Sequence, residues 1–331
     1  MKGPLLSLRF LVDFTISRSH IHNNYITTLT SDPMTRTKCW LQKLLNKNIY
    51  LYAAAICYVL LAINALITRL PETPPYFIVL SDLHLSSAAG RFQKNSEHYF
   101  KLINEFKTFK PRPEFIFIVG DIIDNVEVGA DGSLRGGSIE NFQAEVQLFR
   151  KSMKMMPETP FYTTLGSGHD YSSIVDLETA EKQIGPRRGS IDWHGMKLVW
   201  FTVRRATFGE NSNEPALLKV DYQWLDNTLS DSAQPVILIS HVPFRTPITF
   251  EKGRKRHNRN YTIPDEDQLY QILRHHKHRI KALFHGHIHR TIATQLYQIP
   301  LYINPFLLES GYTKVSLVDN RELEVSQKHF N

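Results

Sequence analysis

Several short apolar runs in this chain stop abruptly on groups that resist burial. "FIVLSDLHLS" (Phe77–Ser86) ends on Asp82 and His84, "FIFIVGD" on Asp121, "PVILISH" on His241, and "IKALFHGH" on His285 and His287. Runs of this length, rich in Ile, Val and Phe, read as buried strands. Patterns of helical period lie between them, at Ser96–Phe109, Ile139–Met156, Tyr222–Leu229 and Glu266–His276. "FYTTLG" adds a strand ending at Gly166, and Ile191–Val203 reads as a hairpin. Strands alternating with helices predict an α/β architecture with a mostly parallel sheet that turns antiparallel toward the carboxyl end. At 331 residues and 42% hydrophobic content, the chain can bury a sizeable core.

In such sheets the carboxyl ends of the strands share one edge, where sites are built. Asp82, His84, Asp121, Asp124, His169, Asp170, His241, His287 and His289 all fall at strand ends. Acids and imidazoles converging from separate strands stay desolvated or repel one another unless a cation holds them. Divalent metal supplies that charge. In an extended segment, D-x-H and H-x-H put both side chains on one face, a spacing suited to chelation. Each fragment alone is weak, because a histidine after a strand is commonly a structural residue. Their joint occurrence carries the reading.

The series D-x-H, G-D-x-x-D, G-(x)-H-D, S-H-x-P and G-H-x-H resembles the calcineurin-like metallophosphoesterases over roughly residues 76–324. The resemblance implies a four-layer α/β/β/α sandwich with two divalent metal ions at one edge. It implies that Asp82, His84 and His289 bind the first ion, that Asp121 bridges, and that His241 and His287 bind the second. Asp124 resembles the family's structural acid, and His169 with Asp170 its general-acid pair. One departure stands out. The family reads G-N-H-D or G-N-H-E where this chain reads Gly166-Ser167-Gly168-His169-Asp170, so the asparagine that usually binds the second ion is absent.

Two such ions can share a hydroxide and clamp the attacking and leaving oxygens of a displacement at phosphorus. Mixed oxygen and nitrogen donors favour manganese, iron or zinc. His169 would protonate the leaving group, with Asp170 orienting its ring. The expected activity is hydrolysis of a phosphomonoester or phosphodiester, lipid-linked and glycan-linked substrates included. The competing reading is a catalytically impaired scaffold or binding module on the same frame. Nuclease action is disfavoured, because no aromatic stacking platform interleaves the basic stretch.

The front of the chain is organised differently. Residues 1–33 show no periodicity and read as a disordered tail or a misassigned start, and 34–70 as a basic flank plus a membrane signal anchor. The anchor is "IYLYAAAICYVLLAINALI" (Ile49–Ile67), nineteen residues without a formal charge. The alternative is a buried core helix, which is seldom apolar around its whole circumference. Arg36, Lys38, Lys43 and Lys47 precede it, whereas Arg69 and Glu72 follow. That bias puts the amino terminus in the cytoplasm and the domain outside it. Residues 71–75 read as a proline-rich linker and 76–331 as the catalytic domain. Both cysteines, Cys39 and Cys57, precede the domain, which excludes disulfides and cysteine-ligated zinc within it. The formal charge of +7 permits phosphate-rich partners without demanding them.

Five further features receive plainer readings. "EKGRKRHNRN" (Glu251–Asn260) reads as a solvated loop and "GADGSLRGG" (Gly129–Gly137) as a connector. "RHHKHR" (Arg274–Arg279) caps a helix end, and His285 makes a structural hydrogen bond or joins the outer shell. Asn260-Tyr261-Thr262 is a glycosylation sequon.

Overall fold

A computed structural model of the chain describes residues 48–49, 51–63, 73–87, 93–128, 134–166, 169–171, 175–203, 219–257, 262–263, 267–307, 311–318 and 322–329. The readings of residues 1–47 and of the sequon lie outside these. The chain divides into two units, Met1–Glu72 and Thr73–Asn331.

In the first unit, residues 51–63 form a helix, α1, and all of them are exposed. Among the described residues no helix is long and apolar enough to cross a membrane. The remainder of the expected anchor, residues 64–67, lies outside the described set.

In the second unit thirteen strands and six helices are described. The first sheet has the order β13-β12-β1-β2-β5. It comprises β1 (Tyr76–Ser81), β2 (Ile116–Val119), β5 (Phe161–Thr164), β12 (Gly311–Val318) and β13 (Glu322–His329). β1, β2 and β5 run parallel, and β12 and β13 complete the sheet antiparallel. The second sheet has the order β10-β11-β9-β8-β7-β6. Its members are β6 (Arg188–Trp193), β7 (Met196–Phe201), β8 (Val236–Ser240), β9 (Ile280–His285), β10 (Ile292–Leu296) and β11 (Ile299–Ile303). β7, β8, β9 and β11 are parallel. A small hairpin pairs β3 (Val126–Val128) with β4 (Leu134–Gly136).

Side-chain alternation builds the layers. Along β1, Ile78 and Leu80 pack with helices α2 (Gln93–Phe106) and α3 (Ile139–Met155), through Leu102, Phe106, Phe142 and Phe149. Phe77 and Val79 point the other way and meet Leu198, Trp200, Ile237, Ile239 and Phe284 of the second sheet. The far face of that sheet, with Val199, Leu238 and Leu283, packs on α5 (Lys219–Asp231) and α7 (Gln268–His276). The order of layers is therefore helices, sheet, sheet, helices. With both faces covered, β1, β2 and β8 are buried at every position, so their sequences read as continuous apolar runs.

Several local expectations need correction. α2 ends at Phe106, three residues before the sequence pattern suggested, and α4 (Leu177–Gln183) was not anticipated. The basic stretch is not a loop throughout, because Pro247–His257 form helix α6. Its start was legible: the Thr246 hydroxyl accepts from the Thr249 amide, and Pro247 occupies the first helical position, where no amide donor is needed. Part of "GADGSLRGG" is strand β4, while residues 129–133 fall outside the description.

Candidate metal centre

Each motif begins where a strand stops, and the stop is abrupt. Asp82, His84, Asp121, His287 and His289 all have positive φ, between +42° and +70°. The left-handed region is uncommon for residues other than glycine, although Asp and His tolerate it better than most. D-x-H and H-x-H are therefore not extended segments, contrary to the period-two expectation. Tight left-handed turns, not pleating, bring both side chains inward, and such conformations persist where the surroundings fix them. Backbone bonds supply that fixing: His84 N–H donates to the Asp121 carbonyl (2.9 Å), Leu85 N–H to Ile122 (3.0 Å), and Gly286 N–H to His241 (3.0 Å).

Three groups of ligand atoms result, one formed by His84, Asp124 and His169 and two that share Asp121. Those of Asp82, His84, Asp121 and His289 lie within 4.8 Å of one another, as do those of Asp121, His241 and His287. His289 Nε2 is 3.0 Å from His84 Nε2 and 3.2 Å from Asp82 Oδ1. His241 Nε2 is 3.1 Å from both Asp121 Oδ2 and His287 Nδ1. Asp121 belongs to both of these. Their six residues are at most 6% exposed, and Asp124 and Asp170 are buried beside them.

The residues fit a pair of cations. Asp121 Oδ1 is buried and has no hydrogen-bond partner, a costly state for a carboxylate oxygen unless a cation takes it up. His241 Nδ1 lies 2.8 Å from the Val119 carbonyl, to which it donates, leaving Nε2 free to ligate. Asp82 accepts from the His287 amide (3.0 Å) and from the Ser81 hydroxyl. A Cβ on Gly286 would land on that hydroxyl and 2.6 Å from Asp82 Oδ2, so only glycine permits this approach.

The charges show the same demand. Burial would push Asp82 up, yet His289 and His241 hold it at about 2. Burial would push the His241 imidazole down, yet Asp121 and Asp82 lift it to about 10. The carboxylates that raise this imidazole would attract a cation for the same reason.

The expected pairing of His169 with Asp170 is not what the structure holds. Asp170 is buried and accepts from the backbone amides of Ile122 (2.7 Å), Ile123 (3.1 Å) and Gly166 (2.6 Å). It fastens two motif loops together and makes no bond to His169. The acid facing His169 is Asp124, whose carbonyl lies 2.9 Å and whose Oδ1 lies 3.4 Å from Nδ1. Burial disfavours the imidazolium, but Asp121 and Asp124 raise His169 to about 9. Ser167 and Gly168, at the missing asparagine, lie outside the described residues.

Sequence reasoning passed over three supports. Glu145 of α3 accepts from the Asn125 amide (2.8 Å), and burial pushes it to about 7. Its signal was present: it shares the buried helical face of Phe142, Val146 and Phe149. Asn95 Nδ2 donates to the Leu83 carbonyl (2.9 Å), which braces the D-x-H turn. Phe306 stacks on His289 and had no signal beyond being apolar. His285 is structural: Nδ1 is 2.9 Å from the Ser240 carbonyl, and burial pushes the ring down to about 3. Among the described residues no candidate metal group includes His275 or His278.

Two mixed sheets thus bring together acids and imidazoles that could hold metal ions. The chain belongs to the calcineurin-like phosphoesterases, hydrolases of ester bonds, whose family model matches residues 75–291. A dimetal phosphatase from Danio rerio is similar in structure at 12% identity, with a TM-score of 0.54, covering 78% of this chain and 100% of that one. A putative 5′-nucleotidase from Staphylococcus aureus covers 77% of this chain and 53% of its own, at 13% identity and a TM-score of 0.45. Comparison with curated protein sequences found no match.

Proposed function

We propose that the chain is a membrane-anchored phosphoesterase that hydrolyses a phosphomonoester or phosphodiester with two divalent ions, of manganese, iron or zinc. The observation that carries this is the paired groups of buried ligand atoms sharing Asp121. When bound, such ions supply positive charge at the phosphoryl group and acidify water. Asp82, His84 and His289 would hold the first, His241 and His287 the second, and Asp121 both.

The rest of the chemistry belongs to the side chains. His169 Nδ1 faces the Asp124 carbonyl, so Nε2 is the nitrogen available to protonate a leaving oxygen. With its imidazole raised to about 9, His169 carries that proton at neutral pH. Asp170 holds the loops of Asp121 and His169 in register from behind.

Membrane anchoring rests on α1. Its residues carry no formal charge, and apolar side chains such as Leu51, Tyr58 and Leu61 are 57–75% exposed. A helix apolar all round requires apolar surroundings. With the basic flank before it, the amino terminus is cytoplasmic and the domain extracytoplasmic. Substrates near a membrane, lipid-linked or glycan-linked phosphoesters among them, follow from that placement.

The test is metal analysis and a screen of aryl mono- and diesters with Mn²⁺ on the detergent-solubilised full chain. About two ions per chain with turnover is the expected result. An inert, metal-free protein would overturn it in favour of the scaffold, the reading that the absent asparagine favours.

A further inference from the structure

We propose that Phe306 is a positioning residue for the first metal, holding the His289 and His84 rings in the planes their ligand nitrogens need. The inference rests on the metal reading of that site. The Phe306 ring lies parallel to His289, with centroids 4.2 Å apart and planes 11° from each other. It meets His84 edge-on at 5.9 Å and 75°. The residue is 6% exposed, so this face is packed, not solvated.

Its backbone is tied to the same two motifs. Phe306 forms a parallel bridge with Ser81, the residue before Asp82. Two residues earlier, the backbone and side-chain amides of Asn304 both donate to the His285 carbonyl at 2.8 Å, at the head of the G-H-x-H turn. The turn after β11 therefore grips the D-x-H and G-H-x-H loops by main chain and sets one aromatic ring against a histidine from each. Both histidines sit in left-handed turns, at φ +42° and +53°, outside the ladder that orients strand side chains. Packing therefore sets their ring planes together with the polar contacts at Nε2 and, for His84, the His169 ring at 4.5 Å. A flat partner restricts rotation of an imidazole about its outer bond, and groups behind a ligand commonly govern affinity by about 10–100-fold.

The test titrates Co²⁺ into the full chain in detergent and compares Phe306→Leu and Phe306→Met, which keep an apolar side chain but lose the flat face, with Phe306→Tyr, which keeps it. The expected result is first-equivalent binding weakened about tenfold or more in Leu and Met, with an altered Co²⁺ absorption spectrum, and rescue by Tyr. Melting of the metal-free variants separates this from loss of fold, and the more adaptable Met variant remains informative if Leu does not fold. Parent-like affinity and spectrum in a folded Leu or Met variant would overturn the proposal. A parent chain that takes up no Co²⁺ would instead remove the metal reading itself, and its own titration distinguishes the two failures.

Discussion

Replacing Asp170 with Asn separates a residue that fastens loops from one that tunes the acid. The carboxylate accepts three backbone amides, Ile122 and Ile123 on Oδ1 and Gly166 on Oδ2. An asparagine keeps one acceptor oxygen and turns an NH₂ group toward at least one of those amides, leaving donor against donor in a buried site. A buried unsatisfied donor costs about 1–3 kcal/mol, and a bond to a charged acceptor contributes about 1.5–3 kcal/mol. The bonding loss is therefore about 2–4 kcal/mol, which on its own is a fall in melting temperature of roughly 5–15 °C for a domain of this size. The pH must be chosen with care. Burial, followed by Asp121, pushes Asp170 up to about 6, so its ionisation weakens the fold progressively between 3.8 and 6. At pH 7.5 the parent carries that ionisation cost in full and the neutral asparagine does not, so the measured change is the bonding loss less that cost. Thermal unfolding of metal-free parent and variant measures the loss. A variant that shows no bonding loss once that cost is added back, while the basic limb of its pH–rate profile moves, would show that Asp170 acts on His169, and the loop-fastening role would be refuted.

Other expectations are shorter. Asp124→Asn should lower the basic limb, because His169 loses an anion that raises it, while the melting temperature changes less than for Asp170→Asn. Asp121→Asn should abolish activity and lower metal content, whereas His169→Ala should keep the metal and lose about 10²–10⁴ in rate; equal, mild losses would count against both assignments. His241 is held at about 10 against an ordinary 6.5, so its contribution to metal-free stability is complete below pH 6.5 and fades as pH rises through 10. A metal ion must displace that proton, so Mn²⁺ uptake should release it, and calorimetry in two buffers of different ionisation enthalpy reads the release; heat independent of buffer would mean a neutral His241. Gly286→Ala should drive Ser81 and Asp82 apart and weaken the first metal, as equilibrium dialysis would detect.

Much of this protein was legible before folding. Apolar runs such as Ile78–Leu80 and Ile237–Ile239 had to be strands because both of their faces are covered, and each run names its own end by the acid or imidazole that follows. Local chemistry also marked the caps: Ser138 accepts from Asn141 and Asp267 from Leu269, where α3 and α7 start. Burial and capping act over a few residues, so a sequence window records them.

Contacts across long separations are a different matter. That Asp124 and not Asp170 faces His169, forty-five residues away, depends on how two loops stack beyond parallel strands. That Phe306 lies on His289 depends on β11 pairing with β9. The sequence by itself determined which groups would reach the sheet edge and that a cation would be wanted there. Only the tertiary structure decided which atoms face one another, because left-handed turns at the strand ends, not strand periodicity, aim the side chains.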